Sequence, residues 1–271
     1  MGGQERAPGG IDPTVPSVAR MYDYYLGGKD NFAADRKAAE QIIGLAPNAR
    51  EAARANRAFL IRAVTHLCEQ GIRQFLDLGT GLPTQENVHQ VARRLAPGSR
   101  VVYVDNDPIV LVHARALLED SPDTIVIGAD VRDPGAIVGH PEVREHLDWS
   151  RPVGVLLSGI LHFVQSDEEA QAIVAGLRAP LVPGSYVVIS HGHGGETPPE
   201  VVDKGLEVYR STSTGFITPR TRDQVAAFLR GLDLVEPGLV PVQHWRSDDP
   251  IEAEIDPAEP GSYGVVGRIP G

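Results

Sequence analysis

The chain has one cysteine, Cys68, in 271 residues, so no disulfide can close within it. Cys68 sits among Ala63, Val64 and Leu67, a setting for a buried thiol rather than a nucleophile. No stretch approaches the roughly 18 consecutive apolar residues that a membrane-crossing helix needs. Met1 to Pro13 carries no apolar run, so no secretory signal is expected and the cytoplasm is the expected compartment. Positive charge is also short: 25 Lys and Arg stand against 36 Asp and Glu, a net charge of -11. That excludes a nucleic-acid partner held by phosphate neutralisation, and adhesion to an anionic membrane. What remains, 42% hydrophobic and 23% charged, is the composition of an ordinary globular protein large enough to bury a full core.

Residues 1–15 are rich in glycine and proline and read as a flexible tail. Residues 16–271 read as one domain: a helical cap segment over 16–71, then an α/β core over 72–271. In the cap, Val18, Met21, Tyr22 and Tyr25 recur at helical spacing, with Ser17 as a candidate cap and Gly27-Gly28 as the stop. Asp35 is placed to open a second helix, and Pro47 to Gly71 reads as a third. Strands are then expected at Gln74–Leu78, Arg100–Val104, Thr124–Ile127, Pro152–Leu157 and Ser185–Ser190, with two more at Leu232–Glu236 and Ser262–Ile269. Helices fall between them, notably Gln85–Leu95, Pro108–Leu118, an irregular Asp133–Leu147, and Asp167–Arg178 with Asp167 as its cap. Two more are expected over Pro198–Thr212 and Arg220–Gly231. This alternation predicts a mostly parallel sheet with helices on both faces. The acidic, proline-bearing stretch from Ser247 to Pro260 reads as an exposed loop.

The first strand ends in Asp77-Leu78-Gly79-Thr80-Gly81. Two glycines there permit a tight turn whose backbone approaches a ligand closely. A dinucleotide fingerprint needs a third glycine, and Thr84 stands in its place beside Pro83. Asp77 is awkward beside a pyrophosphate and well placed for an ammonium group. The second strand ends in Asp105, 28 positions later, where a carboxylate accepts from a ribose diol. Asn106 and Asp107 offer edge contacts to an adenine, although Asp107 serves equally as a cap before Pro108. The third strand ends in Asp130, which suits an adenine amino group, with the Val131 N–H donating to the ring. Asp133 reads as a cap before Pro134. Three neighbouring strands ending in Asp favour an adenosyl ligand lying across their carboxyl ends.

Several strings carry a family resemblance: residues 16–32 (PSVARMYDYYLGGKDNF), 54–57 (RANR), 75–84 (FLDLGTGLPT) and 103–108 (YVDNDP). Through them the chain resembles an actinobacterial S-adenosylmethionine-dependent methyltransferase family, formerly a domain of unknown function, from about Ile11 to the C-terminus. The resemblance implies the class I methyltransferase fold: a seven-stranded Rossmann-like sheet whose antiparallel last strand is inserted between the fifth and sixth. It implies S-adenosylmethionine as cofactor, with Asp77, Gly79 and Gly81 at the methionine turn, Asp105 at the ribose, and Asp130 and Val131 at the adenine; Thr80 and Asn106 are expected at the cofactor as well. The segment from Tyr22 through Gly28, Lys29 and Asn31 is expected to close over the cofactor. Lys29 and Arg57 are rivals for its carboxylate.

After the fourth strand, Ser158-Gly159-Ile160-Leu161-His162-Phe163-Val164-Gln165-Ser166-Asp167-Glu168-Glu169-Ala170 is similar to a stretch of small-molecule O-methyltransferases. By that similarity Ser158 lies at the cofactor and His162 is the general base for an acceptor hydroxyl, a role that fits a group titrating near neutrality. His191-Gly192-His193 follows the fifth strand; without further ligands at metal-binding spacing, no metal site is expected. Tyr209 and Phe216 are candidate pocket residues. The expected activity is methyl transfer to oxygen or nitrogen of a small-molecule acceptor. A cofactor-binding regulatory protein without turnover is the alternative, and an NAD(P)-dependent oxidoreductase the more distant one.

Overall fold

The computed structural model describes residues 11–83, 86–118, 121–247 and 260–271. Thr84, Gln85, the first ten residues of the tail and residues 248–259 of the acidic stretch lie outside them, so the readings made there stand untouched.

Three helices come first: α1 (Val18–Tyr25), α2 (Ala33–Leu45) and α3 (Ala49–Glu69). The alternation follows as β1 (Gln74–Leu78), α4 (Val88–Leu95), β2 (Arg100–Asp105), α5 (Pro108–Leu118) and β3 (Thr124–Gly128). The irregular segment resolves into two short helices, α6 (Pro134–Gly139) and α7 (Pro141–His146), broken where Pro141 starts a new first turn. Then come β4 (Gly154–Ser158), α8 (Asp167–Arg178), β5 (Tyr186–His193), α9 (Pro199–Arg210), α10 (Arg222–Ala227), β6 (Asp233–Leu234), β7 (Val240–Pro241) and β8 (Gly261–Arg268).

The sheet runs β3-β2-β1-β4-β5-β8-β6, with β7 paired to β8. β1 to β5 are mutually parallel, and β8 is antiparallel to both β5 and β6. The insertion of β8 between the fifth and sixth strands is the expected class I arrangement. The count differs by one: β7 is a two-residue pairing too short to leave a periodic signal. β6 is likewise two residues where five were expected.

All five residues of β1 are buried, as a strand covered on both faces requires. One face packs on α3 and α4 through Phe59, Leu67, Phe75 and Trp245, with Phe59 and Trp245 edge to face at 5.4 Å. The other face packs Ile137, Val143, Ile173, Val174 and Phe228. β2 lies on one side of β1 and β4 on the other, so strand order reverses at β1. A crevice therefore opens at the carboxyl ends of these strands.

Two capping expectations are corrected. Ser17 makes no side-chain cap on α1; its Oγ donates instead to Asp107 Oδ2 at 2.7 Å, tying the cap segment to the end of β2. Asp35 does not begin α2 but sits in its first turn, accepting from the N–H groups of Ser17 (2.8 Å) and Phe32 (2.7 Å) and from Arg20 Nε (2.7 Å). One carboxylate thus fixes α1 against α2. Asp133 does cap α6, accepting from the Ala136 N–H.

Candidate active site

A cavity of about 900 Å³ lies over the carboxyl ends of β1, β2, β3 and β4 and runs under α1, α2 and α9. Gly79 and Gly81 both adopt left-handed backbone, φ +68° and +67°. At Gly79 a Cβ would lie 2.6 Å from Ile160, so no side chain fits. The Gly81 N–H donates to Asp105 Oδ2 at 2.9 Å, and Asp107 N donates to Oδ1 at 2.9 Å. Asp105 is therefore held at the mouth of the turn. Burial raises its carboxyl above the ordinary range, against the lowering by these donors. Asp107 also accepts from the Ile109 N–H at 3.0 Å, the capping role.

Asp77 is 4% exposed at the end of β1. Burial lifts it to about 7; the charge of Arg57 pulls it down and that of Asp105 pushes it up. A buried carboxyl poised this way needs a cation to stay ionised. Thr80 Oγ1 donates to the Asp77 carbonyl at 3.1 Å and steadies the turn. Arg57 reaches the cavity from α3 and donates to Glu86 O at 3.0 Å and Asn87 Oδ1 at 3.1 Å.

Asn106, Asp130, Val131 and Ser158 line the same cavity. Asp130 already carries Arg132 across it, with Arg132 Nε 2.9 Å from Oδ1, and this pairing holds its carboxyl low. Its oxygens are thus shared with a guanidinium that the expectation of an adenine contact had not included. Asn106 Nδ2 also approaches Asp130 Oδ2, at 3.4 Å. Ser158 Oγ and Ser190 Oγ share a hydrogen bond at 3.1 Å.

The cap segment divides. Tyr22 lines the cavity with its ring, while its hydroxyl donates to Ala53 O (2.9 Å) and accepts from Asn56 Nδ2 (3.1 Å). Gly28, Lys29 and Asn31 do not line the cavity, a correction to their expected role. Asp23, buried in α1, folds the turn onto itself: its Oδ2 accepts from the Asp30 N–H (3.0 Å) and Asn31 Nδ2 (2.8 Å). Gly28 leaves room for that carboxylate, since a Cβ would overlap it, and Lys29 is exposed. The polar residues of this loop serve the loop. Asn56 was missed. Its Oδ1 is buried at the cavity and meets no donor among the described residues. Nothing but its neighbours in the 54–57 string marked it.

His162 stands on a single 3-10 turn, Leu161–Phe163, and lines the cavity. Burial, with His191 and Arg220 adding to it, holds its imidazole well below 6.5, so it is neutral. The Gly192 N–H donates to its Nδ1 at 3.2 Å. A neutral imidazole whose Nδ1 accepts carries its proton on Nε2. The residue expected as the base thus has its Nδ1 turned to a backbone donor. Asp167 is also reassigned: Ser166 caps α8, and Asp167 pairs with Arg220 at 2.6 Å. Beyond His162 the wall is neutral: Phe163 lies 6.3 Å from Tyr209 between ring centroids, and Tyr22, Tyr25 and Phe216 complete it. Among the described residues no group of three His, Cys, Asp or Glu could hold a metal ion, and no helix is long and apolar enough to cross a membrane.

The buried acids, the glycine turn and the orphan Asn56 acceptor fit an adenosyl amino acid with an ammonium group. Comparison with known proteins reaches the same ligand. The model of the S-adenosyl methyltransferase family matches residues 4–270. A DUF574 family protein from Streptomyces avermitilis is 42% identical, superposes with a TM-score of 0.89, and is covered to 99% by 96% of this chain. A proposed methyltransferase from Thermobifida fusca is also 42% identical at a TM-score of 0.89, with 97% of this chain and 98% of that one covered. An O-methyltransferase family protein from Burkholderia thailandensis shares the fold at 14% identity and a TM-score of 0.52, over 92% of this chain and 64% of that one. No curated protein matches. The chain belongs to the S-adenosyl methyltransferase family, and it is an S-adenosylmethionine-dependent methyltransferase.

Proposed function

We propose that the enzyme methylates a small, largely apolar acceptor at oxygen or nitrogen, in the cytoplasm. The observation that carries this is the segregation of charge in the cavity. Asp77, Asp105, Asp130, Arg57 and Arg132 gather at the strand ends, whereas Tyr25, Phe163, Tyr209 and Phe216 give the lining an aromatic portion. A pocket of that second kind excludes water and suits an aromatic or aliphatic body with few polar groups.

Asp77 and Asn56 Oδ1 would take the ammonium of the methionine moiety, Arg57 its carboxylate, Asp105 the ribose diol, and Asp130 with Val131 the adenine edge. The bound cofactor supplies an electrophilic methyl group on a sulfonium. This chain's part is positioning: methyl transfer is an in-line displacement, and holding the acceptor atom near 3 Å from the methyl accounts for much of the rate.

Incubation with S-adenosylmethionine and a panel of aromatic hydroxyl and amine metabolites, read as S-adenosylhomocysteine formed, tests the proposal. Product above the enzyme-free rate with at least one panel member is expected. Tight cofactor binding with no product from any member would overturn it in favour of a cofactor-binding protein without turnover.

A further inference from the structure

Behind His162 runs a buried chain of hydrogen bonds in which every donor is fixed. It begins at Arg220, whose side chain is fully buried and whose Nε donates to Asp167 Oδ1 at 2.6 Å. Two further N–H groups donate to the carbonyls of Leu161 and Val164, each at 2.9 Å. A guanidinium has no lone pair to offer. Its remaining contact, Nη1 to His191 Nε2 at 3.0 Å, therefore makes that nitrogen an acceptor. Burial, with the charge of Arg220 and against the hydrogen bond to Gly192, holds His191 down to about 4, so it is neutral at pH 7. Its proton then sits on Nδ1, 2.9 Å from the Gly192 carbonyl.

That carbonyl also receives the backbone N–H of Arg220 at 3.4 Å, which fixes the Gly192 peptide from its oxygen side. The N–H of Gly192 points the other way, to His162 Nδ1. Thr218 N–H holds the His162 carbonyl at 2.7 Å, so the 3-10 turn is anchored as well. The chain Asp167, Arg220, His191 holds the Gly192 peptide in place, and the Gly192 N–H on Nδ1 leaves neutral His162 with its proton on Nε2 and no free lone pair.

We propose that His162 meets the acceptor as a hydrogen-bond donor and not as its base, and that the acceptor is an oxygen acid that enters already ionised, an enolate or phenolate. This deepens the small-molecule reading and rests on it. An amine nitrogen has one lone pair, and a donor aimed at it would occupy the electrons needed for attack. An ionised oxygen has three, so one accepts from Nε2–H while another reaches the methyl carbon. The new O–C bond forms as the C–S bond breaks, and that pair stays on sulfur. Sulfonium and oxyanion charges cancel, and no proton moves at His162. The neutral aromatic wall favours a delocalised anion, whose desolvation costs less than that of a localised one.

The test is the histidine tautomer, read at pH 7 by two-bond ¹H–¹⁵N correlation in ¹⁵N-histidine-labelled protein, alone and with S-adenosylhomocysteine. His162→Gln identifies the resonance by its disappearance. The neutral Nε2–H form is expected in both states. An Nδ1–H tautomer in either state overturns the proposal, as does a panel product methylated at nitrogen. Binding of S-adenosylhomocysteine, seen as a rise in Tm, is read on the same samples. Its failure would count against the cofactor site and leave the tautomer result standing separately.

Discussion

Asp77→Asn is expected to raise the stability of the free protein while lowering its affinity for S-adenosylmethionine about 100-fold. The two effects have one cause. Burial lifts the Asp77 carboxyl from 3.8 to about 7, so the native chain keeps a proton that the unfolded chain has released. The stability this group costs therefore grows as pH rises from about 4 to 7, then levels off. Three pH units at about 1.4 kcal/mol each set an upper bound of about 4 kcal/mol. Relaxation around the site leaves about half of that, a rise in Tm of several degrees at pH 8. An Asn at this position carries no charge to desolvate. It also offers an ammonium only a neutral amide oxygen where the carboxylate stood, and losing one partner of a buried charge pair costs about 2–5 kcal/mol of binding. In the wild type, about a tenth of Asp77 is ionised at pH 6, so cofactor affinity should be about tenfold weaker there than at pH 8. In Asp77→Asn that dependence disappears. Calorimetric titration and thermal melts at both pH values check all of this; unchanged affinity in the variant would remove Asp77 from the ammonium site.

Asp35→Ala is expected to cost about 3–5 kcal/mol, a fall in Tm of about 10 °C. Asp35 is fully buried and Arg20 is 3% exposed. Removing the carboxylate leaves the guanidinium Nε and the N–H groups of Ser17 and Phe32 without their acceptor, and Val15 O, from Arg20 Nη2, as the remaining contact of the pair's cation. Arg20 also lies over the Phe32 ring at 5.1 Å, a contact too weak to compensate. Replacing both members, Arg20→Met with Asp35→Leu, removes the buried charge altogether and should recover much of the loss. Hydrogen exchange should quicken over residues 17–45 in the single variant, since α1 and α2 are held by this pair. A single variant that melts with the wild type would show that the cap segment is held by its apolar contacts alone.

The sequence shows the sheet because its signals are local. Val101 to Val104 is a short apolar run and Phe75 to Leu78 one interrupted only by Asp77, both bounded by turns, and Pro108 and Asp167 mark first helical turns within one residue of where α5 and α8 begin. Parallel pairing then carries the strand-end acids to one rim, so Asp77, Asp105 and Asp130 could be grouped before any coordinates. β7 left no trace because Val240–Pro241 is too short to show alternation. In the cap segment, residue type revealed chemistry but not direction: Lys29 and Asn31 look like ligand residues, and the Asp23 carboxylate turns the loop away from the cavity. His162 is recognisable from its neighbours, yet its tautomer follows from the N–H of Gly192, 30 residues on. No spacing rule predicts a contact between a strand-end peptide and a side chain in a loop that far away. Asn56 is hidden for the same reason, since only the closing of α1 over α3 brings its amide to the cavity.

A crystal structure of the complex with S-adenosylhomocysteine bears most directly on the whole account. It should show the ribose hydroxyls on Asp105, the amino-acid end between Asp77, Asn56 and Arg57 above the Gly79 turn, and the sulfur facing His162 and the aromatic wall. Density for the nucleoside on any other surface, or an inverted molecule with its amino acid at Asp130, would contradict it.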